Sequence, residues 1–341
     1  MHGKAGNPAT FRSAERASEM LAPDTSLAIP AQVRMHGNRD AETARADSSG
    51  ARLDAVRAVL ADACAEAGLT TRDATLVRLV GNAVFRLPHD RVYVKITLTP
   101  RLAHRAGNAV VAARLLAEHG IPAVRPVGEL RQPVLVGGYA VTFWHEVAGG
   151  TEPTTAELGR LLLGMHRLPV GTSGLSRWDP LPDLRHRLRD AGGWPASDLA
   201  FLAARCDAVA AALPKLRYVL PAGVVHGDAR LGNLLAGPDG PVLCDFDTTG
   251  IGPVEWDLVP AAVAQLRFHD ARRLHDDLAA AYGFDVTRWE GFPVLRELRE
   301  LKLVASALPI AHGDPELLAQ LRHRLRTFRN GDTTARWTRY R

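Results

Sequence analysis

A chain of 341 residues is about twice the length of one average domain, so two lobes or domains are expected. With 46% hydrophobic and 23% charged residues it falls in the ordinary globular range, which excludes a wholly disordered or fibrous chain. The formal net charge is +5, but the last twenty residues, Arg322 to Arg341, hold seven Arg against Asp332; the basicity belongs to a tail and makes no whole-surface case for nucleic acid.

Residues 1–50 are rich in Ala, Arg, Ser, Asp and Gly and read as an unstructured leader. They contain no basic start followed by an apolar core, so no secretory signal is read. Order is expected from residue 51, where Leu53, Val56, Val59, Leu60 and Ala63 recur at helical spacing before Gly68. From Thr75 the period becomes two, giving three antiparallel strands: Leu76 to Val80, Ala83 to Leu87 and Arg91 to Leu98. In the third, Val92, Val94 and Ile96 share one face, and Tyr93, Lys95 and Thr97 the other. A helix follows from about Arg105 to His119, with Val111, Leu115 and Leu116 inward. Pro133 to Val136 and Tyr139 to Val147 complete a five-stranded sheet, and Gly149-Gly150 marks a domain boundary.

Beyond it the pattern is helical. Thr154-x-x-Glu157 predicts a capping box opening a helix with Leu158, Leu161, Leu162 and Met165 on one face. Further helices are expected at 183–190, 198–212, 257–282, 293–307 and 315–328. The final Arg-rich stretch, residues 329–341, reads as a solvated basic tail. No run of 18 apolar residues exists, so no membrane span is expected. Cys64, Cys206 and Cys244 are odd in number and widely spaced, which suits a reducing cytoplasm rather than a disulfide framework.

The chemistry concentrates in residues 224–247. Val224-Val225-His226-Gly227-Asp228 reads as a strand entering a polar loop that continues to Asn233, and a hairpin through Gly237-Pro238-Asp239-Gly240 returns to Cys244-Asp245-Phe246-Asp247. The hairpin returns Asp245 toward the loop holding Asp228 and Asn233. Three oxygen-bearing side chains suit Mg²⁺, which takes a few protein oxygens and completes its octahedron with phosphate and water. An Asp spared from the metal can take the proton of an attacking hydroxyl while the Asn and the second Asp hold the ion. The spacing Asp-x-x-x-x-Asn is that of the kinase catalytic loop.

At these residues the chain resembles the aminoglycoside phosphotransferase and choline kinase family, relatives of protein kinases. The family's H-G-D-x-x-x-x-N matches His226, Gly227, Asp228 and Asn233; its metal Asp matches Asp245; its G-x-x-x-x-D-L matches Gly252 through Asp257-Leu258. The resemblance spans roughly residues 68–310. It implies a catalytic Asp228, Asn233 and Asp245 as metal ligands, and an Asp257 that caps its helix and braces the loop. Asp247 reads equally as a second metal contact or as a solvated turn residue, and His226 as a bracing hydrogen-bond partner. His312-Gly313-Asp314 repeats the tripeptide, but Ala319 stands five residues after the Asp, so Asp314 is read as a helix N-cap.

Only four of the 42 basic residues are Lys, yet Lys95 sits mid-strand between Val94 and Ile96. Its compact ammonium suits the α and β phosphates of a nucleotide, and Val92 to Lys95 occupies the place of the kinase V-A-I-K. Relatives pair this Lys with an acid on the next helix; here the aligned turn reads Gly107-Asn108-Ala109-Val110, and Glu118 is that helix's one acid. Gly81 and Asn82 form the turn expected over the phosphates. Arg230 stands where relatives carry His, as a phosphate contact or an ion-pair partner. Gly250-x-Gly252 reads as a loop. No P-loop, zincin or nucleophile-elbow motif occurs.

The expected fold is therefore α+β, two-lobed and protein-kinase-like: a five-stranded antiparallel N-lobe with one helix over 51–147, and a mostly helical C-lobe over 148–328. The expected function is ATP-dependent transfer of the γ-phosphoryl group, with Mg²⁺, to a hydroxyl of a small aminoglycoside-, choline- or sugar-like acceptor. ATP, or another nucleoside triphosphate, would use Lys95, Gly81 and Asn82, and its adenine the backbone around Phe143, Trp144, His145 and Val147. The alternative is a nucleotide-binding pseudokinase that regulates a partner. A third idea, nucleic-acid binding through the tail, predicts affinity that falls steeply with salt.

Overall fold

The computed structural model describes residues 39–340 except 129, 148, 172, 173, 270, 272, 310, 312 and 313. Residues 1–38 of the expected leader lie outside them. Contacts sort the chain into two compact units, one reaching Ala148 and including Asp245–Asp247, the other formed by Gly149–Cys244 and Thr248 onward.

The first unit opens with helix α1, Arg39–Ala67. It begins twelve residues before the expected residue 51: the Ala, Glu and Arg of its first turns favour helix without supplying an apolar stripe, so periodicity alone places the start too late. Strands β1 (Thr75–Val80), β2 (Asn82–Leu87) and β3 (Val92–Thr97) follow, then helix α2 (Ala103–Glu118) and strands β4 (Val134–Val136) and β5 (Tyr139–His145). The sheet is antiparallel throughout in the order β1-β2-β3-β5-β4. Val56, Val59, Leu60, Ala63 and Cys64 of α1 form a core with Phe85, Leu87, Val92, Val94, Ile96, Val141 and Phe143. The alternation read for β3 holds, because burying one face of a strand buries every second residue. Two helices rather than one accompany this sheet. In α2 the inward residues are Ala109, Val110, Ala113, Leu115 and Leu116, while Val111 is exposed, contrary to expectation. Ala106, Ala109, Val110 and Ala113 set the buried stripe, and Val111 lies about 100° round the helix from its neighbour Val110.

The second unit contains α3 (Thr155–His166), α4 (Leu181–Arg189) and α5 (Ala196–Ala212), then β6 (Gly223–Val225), β7 (Leu234–Gly237), β8 (Gly240–Leu243) and β9 (Gly250–Gly252). Helices α6 (Val259–Arg267), α7 (Leu274–Tyr282), α8 (Phe292–Ala305) and α9 (Pro315–Arg329) complete it. Thr154 caps α3 with the reciprocal Thr154–Glu157 box. Gly250-Ile251-Gly252 is strand β9, antiparallel to β6, and not a loop. The single helix expected over 257–282 is broken: residues Val254–Leu258 form a 3₁₀ turn, α6 ends at Phe268 in an extended conformation, and α7 starts after Arg273 with φ +65°. Phe268 is drawn into a bridge with Trp337. The expected solvated tail is likewise corrected: Trp337 and Tyr340 are each 1% exposed. Among the described residues no helix is long and apolar enough to cross a membrane.

Candidate active site

Strand β6 delivers the loop His226-Gly227-Asp228. Gly227 has φ +84°, and a Cβ there would lie 2.2 Å from the Thr248 carbonyl oxygen. Only glycine satisfies both the left-handed backbone and that approach. The loop is fixed from beneath by Asp257, fully buried in the 3₁₀ turn, which accepts the backbone N–H of His226 at 2.6 Å and of Gly227 at 2.8 Å. Its Oδ2 also meets His166 Nε2 at 3.0 Å, and His166 Nδ1 meets the Tyr282 hydroxyl at 2.8 Å. Asp257 thus braces the loop; no side-chain cap is made at that turn. Trp256 Nε1 donates to the Gly227 carbonyl at 2.8 Å. His226 Nε2 donates to the Cys244 carbonyl at 2.9 Å, and Thr248 and Thr249 hydroxyls donate to the His226 carbonyl. His226 is a bracing residue.

Asp228 comes out of this scaffold partly exposed. Arg299 of α8 donates through Nη1 to its Oδ1 at 2.9 Å, and Arg230 through Nε to Oδ2 at 3.3 Å. Burial disfavours the Asp228 charge, but Arg299, then Arg230, Lys302 and His226, outweigh it and hold the carboxyl well below its ordinary value. Asn233, 2% exposed, donates its amide Nδ2 to the Asp228 carbonyl at 2.9 Å. That turns its Oδ1 to the acceptor role a hard cation needs. The hairpin β7–β8 then runs back until Cys244 N–H meets the Asn233 carbonyl at 3.0 Å, and Asp245 follows by one peptide bond.

In the first unit, Asp245 has φ +65°, a left-handed conformation that costs a non-glycine residue energy and concentrates at functional positions. Lys95 Nζ reaches its Oδ1 at 2.7 Å and Asp247 Oδ1 at 2.8 Å. Burial disfavours the ammonium, but Asp245 and then Asp247 outweigh it and hold Lys95 above its ordinary value. The two carboxylates after the hairpin therefore do the orienting that relatives assign to a helix acid. Asn82 Nδ2 donates to Asp247 Oδ2 at 3.3 Å, beside Gly81 at φ +68°.

The expected adenine segment is mostly committed elsewhere. Phe143 is fully buried in the core, its N–H donates to Gln132 Oε1, and its carbonyl accepts from Val127. Its assignment to nucleotide binding is corrected: it is a core residue. His145 N–H donates to the Arg125 carbonyl, Trp144 lies opposite Tyr93 in the ladder, and Glu146 N–H donates to the Arg91 carbonyl. Val147 lies past the end of β5.

Asp314 accepts the N–H groups of Glu316 and Leu317 at the start of α9, so the second His-Gly-Asp ends in a helix cap. Arg299, His166 and Tyr282 were not singled out by sequence. No local spacing ties them to the motif; Arg299 lies 71 residues beyond Asp228. Among the described residues no group of three or more His, Cys, Asp or Glu could hold a metal ion.

The sheet unit and the helical unit with its His-Gly-Asp loop define a two-lobed α+β fold of the protein-kinase type. A family model described as the phosphotransferase enzyme family matches residues 79–301, and the chain belongs to that family. A search of curated proteins finds no match. Similar solved structures include an amicoumacin kinase, at TM-score 0.57 and 16% identity over 77% of this chain and 90% of that one. An aminoglycoside phosphotransferase from Streptomyces rimosus aligns at TM-score 0.53 and 19% identity over 75% of this chain and 98% of that one. Choline kinase LicA from Streptococcus pneumoniae aligns at TM-score 0.52 and 11% identity, over 74% and 90%.

Proposed function

We propose that this chain is a small-molecule kinase that transfers the γ-phosphoryl group of a nucleoside triphosphate to an alcohol hydroxyl. The observation that carries the reading is Asp228: an ionised carboxylate held on a loop that Asp257, Trp256 and His226 fix from three sides. Such a group can accept the hydroxyl proton as the oxygen attacks phosphorus in line. Supporting the nucleotide and a divalent cation, the amicoumacin kinase neighbour was solved with AMP-PNP and Ca²⁺, and a further neighbour with GDP and kanamycin.

Asn233 Oδ1 and the Asp245 carboxylate are the hard oxygen donors that would hold Mg²⁺. Bound there, the ion would neutralise phosphate charge. Lys95 has three N–H donors; two go to Asp245 and Asp247, and the third is left for an α or β phosphate oxygen. Gly81 and Asn82 would cover the phosphates, and the backbone at Val147 would meet the adenine. The missing helix acid is the observation that favours a catalytically silent regulator. Asp245 and Asp247 supply the charge it lacks, so the enzyme reading is preferred. The three cysteines are buried and form no disulfide, which suits a reducing cytoplasm.

The test is acceptor-dependent ADP release. Removing a general base commonly costs 10² to 10⁴ in rate, so Asp228→Ala and Asp228→Asn are expected to keep ~1% or less of turnover while retaining nucleotide affinity. Turnover near that of the parent in a folded variant refutes the assignment.

A further inference from the structure

Asp228 does not stand alone at the acceptor end of the reaction. Both its oxygens are met by guanidinium groups, from Arg299 on α8 and from Arg230 on the loop itself. Lys302, three residues past Arg299 on the same helix, lies with its ammonium over the Trp256 ring at 5.3 Å, and Trp256 in turn holds the Gly227 carbonyl. Three cations therefore surround one carboxylate. Several acids of this unit have partners of their own: Glu300 is shared by Arg267 and Arg296, Glu297 pairs with Arg205, Asp257 holds the loop, and Glu255 accepts the N–H groups of Val219 and Leu220 through Oε1 while its Oε2 is buried without a partner. A polycation brought to Asp228 would meet the like charge of Arg299 and Arg230 there.

One atom makes the preference specific. Arg230 has a side chain 12% exposed, and its Nη2 is buried with no hydrogen-bond partner. A buried charged donor without an acceptor is costly, and an anionic oxygen is the group that satisfies it best. Asp228 is not blocked by its partners, since each carboxylate oxygen keeps a second lone pair for a hydroxyl proton.

We propose that the acceptor is an anionic alcohol, a hydroxyl-bearing molecule whose carboxylate or phosphate group is bound by Arg230 and Arg299 beside the base Asp228. The inference rests on the phosphotransferase reading and deepens it by naming the charge class of the substrate. Arg230 and Arg299 act here as specificity-determining residues.

The experiment measures ADP release by the full chain with Mg-ATP over four acceptor sets. Two are anionic and separate the sources: hydroxy-carboxylates such as glycerate and gluconate, and phosphorylated polyols such as glycerol phosphate. The others are their uncharged counterparts, the methyl esters and free polyols, and the cations choline and kanamycin. The expected result is kcat/KM about 100-fold higher for one anionic set than for its uncharged counterparts, the scale of losing one partner of a buried charged pair. Arg230→Gln, and Arg299→Gln where it folds, are expected to narrow the ratio of kcat/KM between the anionic acceptor and its ester or free polyol, chiefly through a raised KM for the anion. Choline or kanamycin turned over at least as well as any anion overturns the inference while the phosphotransferase reading stands. A variant that slows charged and uncharged acceptors equally assigns the guanidiniums to the transferring phosphoryl group, and also overturns it. ADP release that none of the four acceptor sets stimulates counts against the phosphotransferase reading, and this inference falls with it. The panel on the parent protein decides even if the Arg299 variant is unstable.

Discussion

Arg299 makes Asp228 a base that is ionised far into the acid range, and the sign of its effect follows from the two influences on that carboxyl. Burial pushes its value up; Arg299 is the largest opposing influence, and the net shift is down. A group with a depressed folded value contributes stability above its unfolded value near 3.9 and loses it as the pH falls through the folded one. Between pH 7 and about 4, therefore, neither the stability from this pair nor the ionisation of the base should change in the parent. In Arg299→Gln the largest opposing influence is gone while burial remains, so the acid limb of kcat/KM is expected to move to higher pH than in the parent. A pH–rate profile that overlays the parent's would show that Arg299 does not set this ionisation. Gly227→Ala should lose about 1–2 kcal/mol for the left-handed backbone alone, and more for the approach to Thr248, read as a lowered denaturant midpoint. At this scale legibility followed sequence distance. The loop of Asp228 and Asn233 and the hairpin leading to Asp245 were readable because they lie within twenty residues, whereas Arg299 reaches Asp228 only through the packing of α8.

The element scale separates two copies of one tripeptide. His226-Gly227-Asp228 sits at the end of β6 and is locked by Asp257, while Asp314 begins α9 and accepts the N–H groups of Glu316 and Leu317. Asp314→Ala is expected to cost about 1 kcal/mol, seen as a small fall in melting midpoint, with turnover unchanged. Asp228→Ala should instead abolish turnover. A large activity loss in folded Asp314→Ala would undo the distinction. The strands of the sheet were readable because one-sided burial imposes period two, and the capping box of α3 because its two residues are three apart along the chain. The break between α6 and α7 was not, since residues 257–282 keep a helical pattern and the interruption comes from Phe268 pairing with Trp337, a partner from the far end of the sequence. The helix acid sought for Lys95 was sought in the wrong element: strand β3 places the ammonium against the residues that follow the hairpin, where Asp247 read as an even choice between metal contact and turn residue.

For the whole molecule, the feature most misread from composition is the basic C-terminus. A run rich in Arg reads as solvated because charge is costly to bury, yet Arg324 is 1% exposed, and so is its counterpart Arg267 in α6. Arg267 forms a two-point pair with Glu300 and donates to the carbonyls of Asp332 and Ala335. Arg324 lies 3.6 Å from the centre of the Tyr340 ring and 5.4 Å from those of Phe268 and Trp337, and donates to the Thr338 carbonyl. Arg329 pairs with Asp198 and Arg336 donates to the Gln265 carbonyl. Much of the charge that composition assigned to a free tail is thus engaged in holding the chain end against the helical unit. Truncation after Asn330 removes Trp337 and Tyr340 and strips the carbonyl acceptors and aromatic faces from two buried guanidiniums. Loss of one large buried aromatic alone costs about 3–5 kcal/mol. For a unit of this size the melting midpoint is expected to fall by roughly 10 °C or more. A truncated protein melting within about 2 °C of the full chain would return the segment to the role of a solvated tail. Steeply salt-dependent nucleic-acid binding that vanished with the same truncation would assign its arginines to a partner instead.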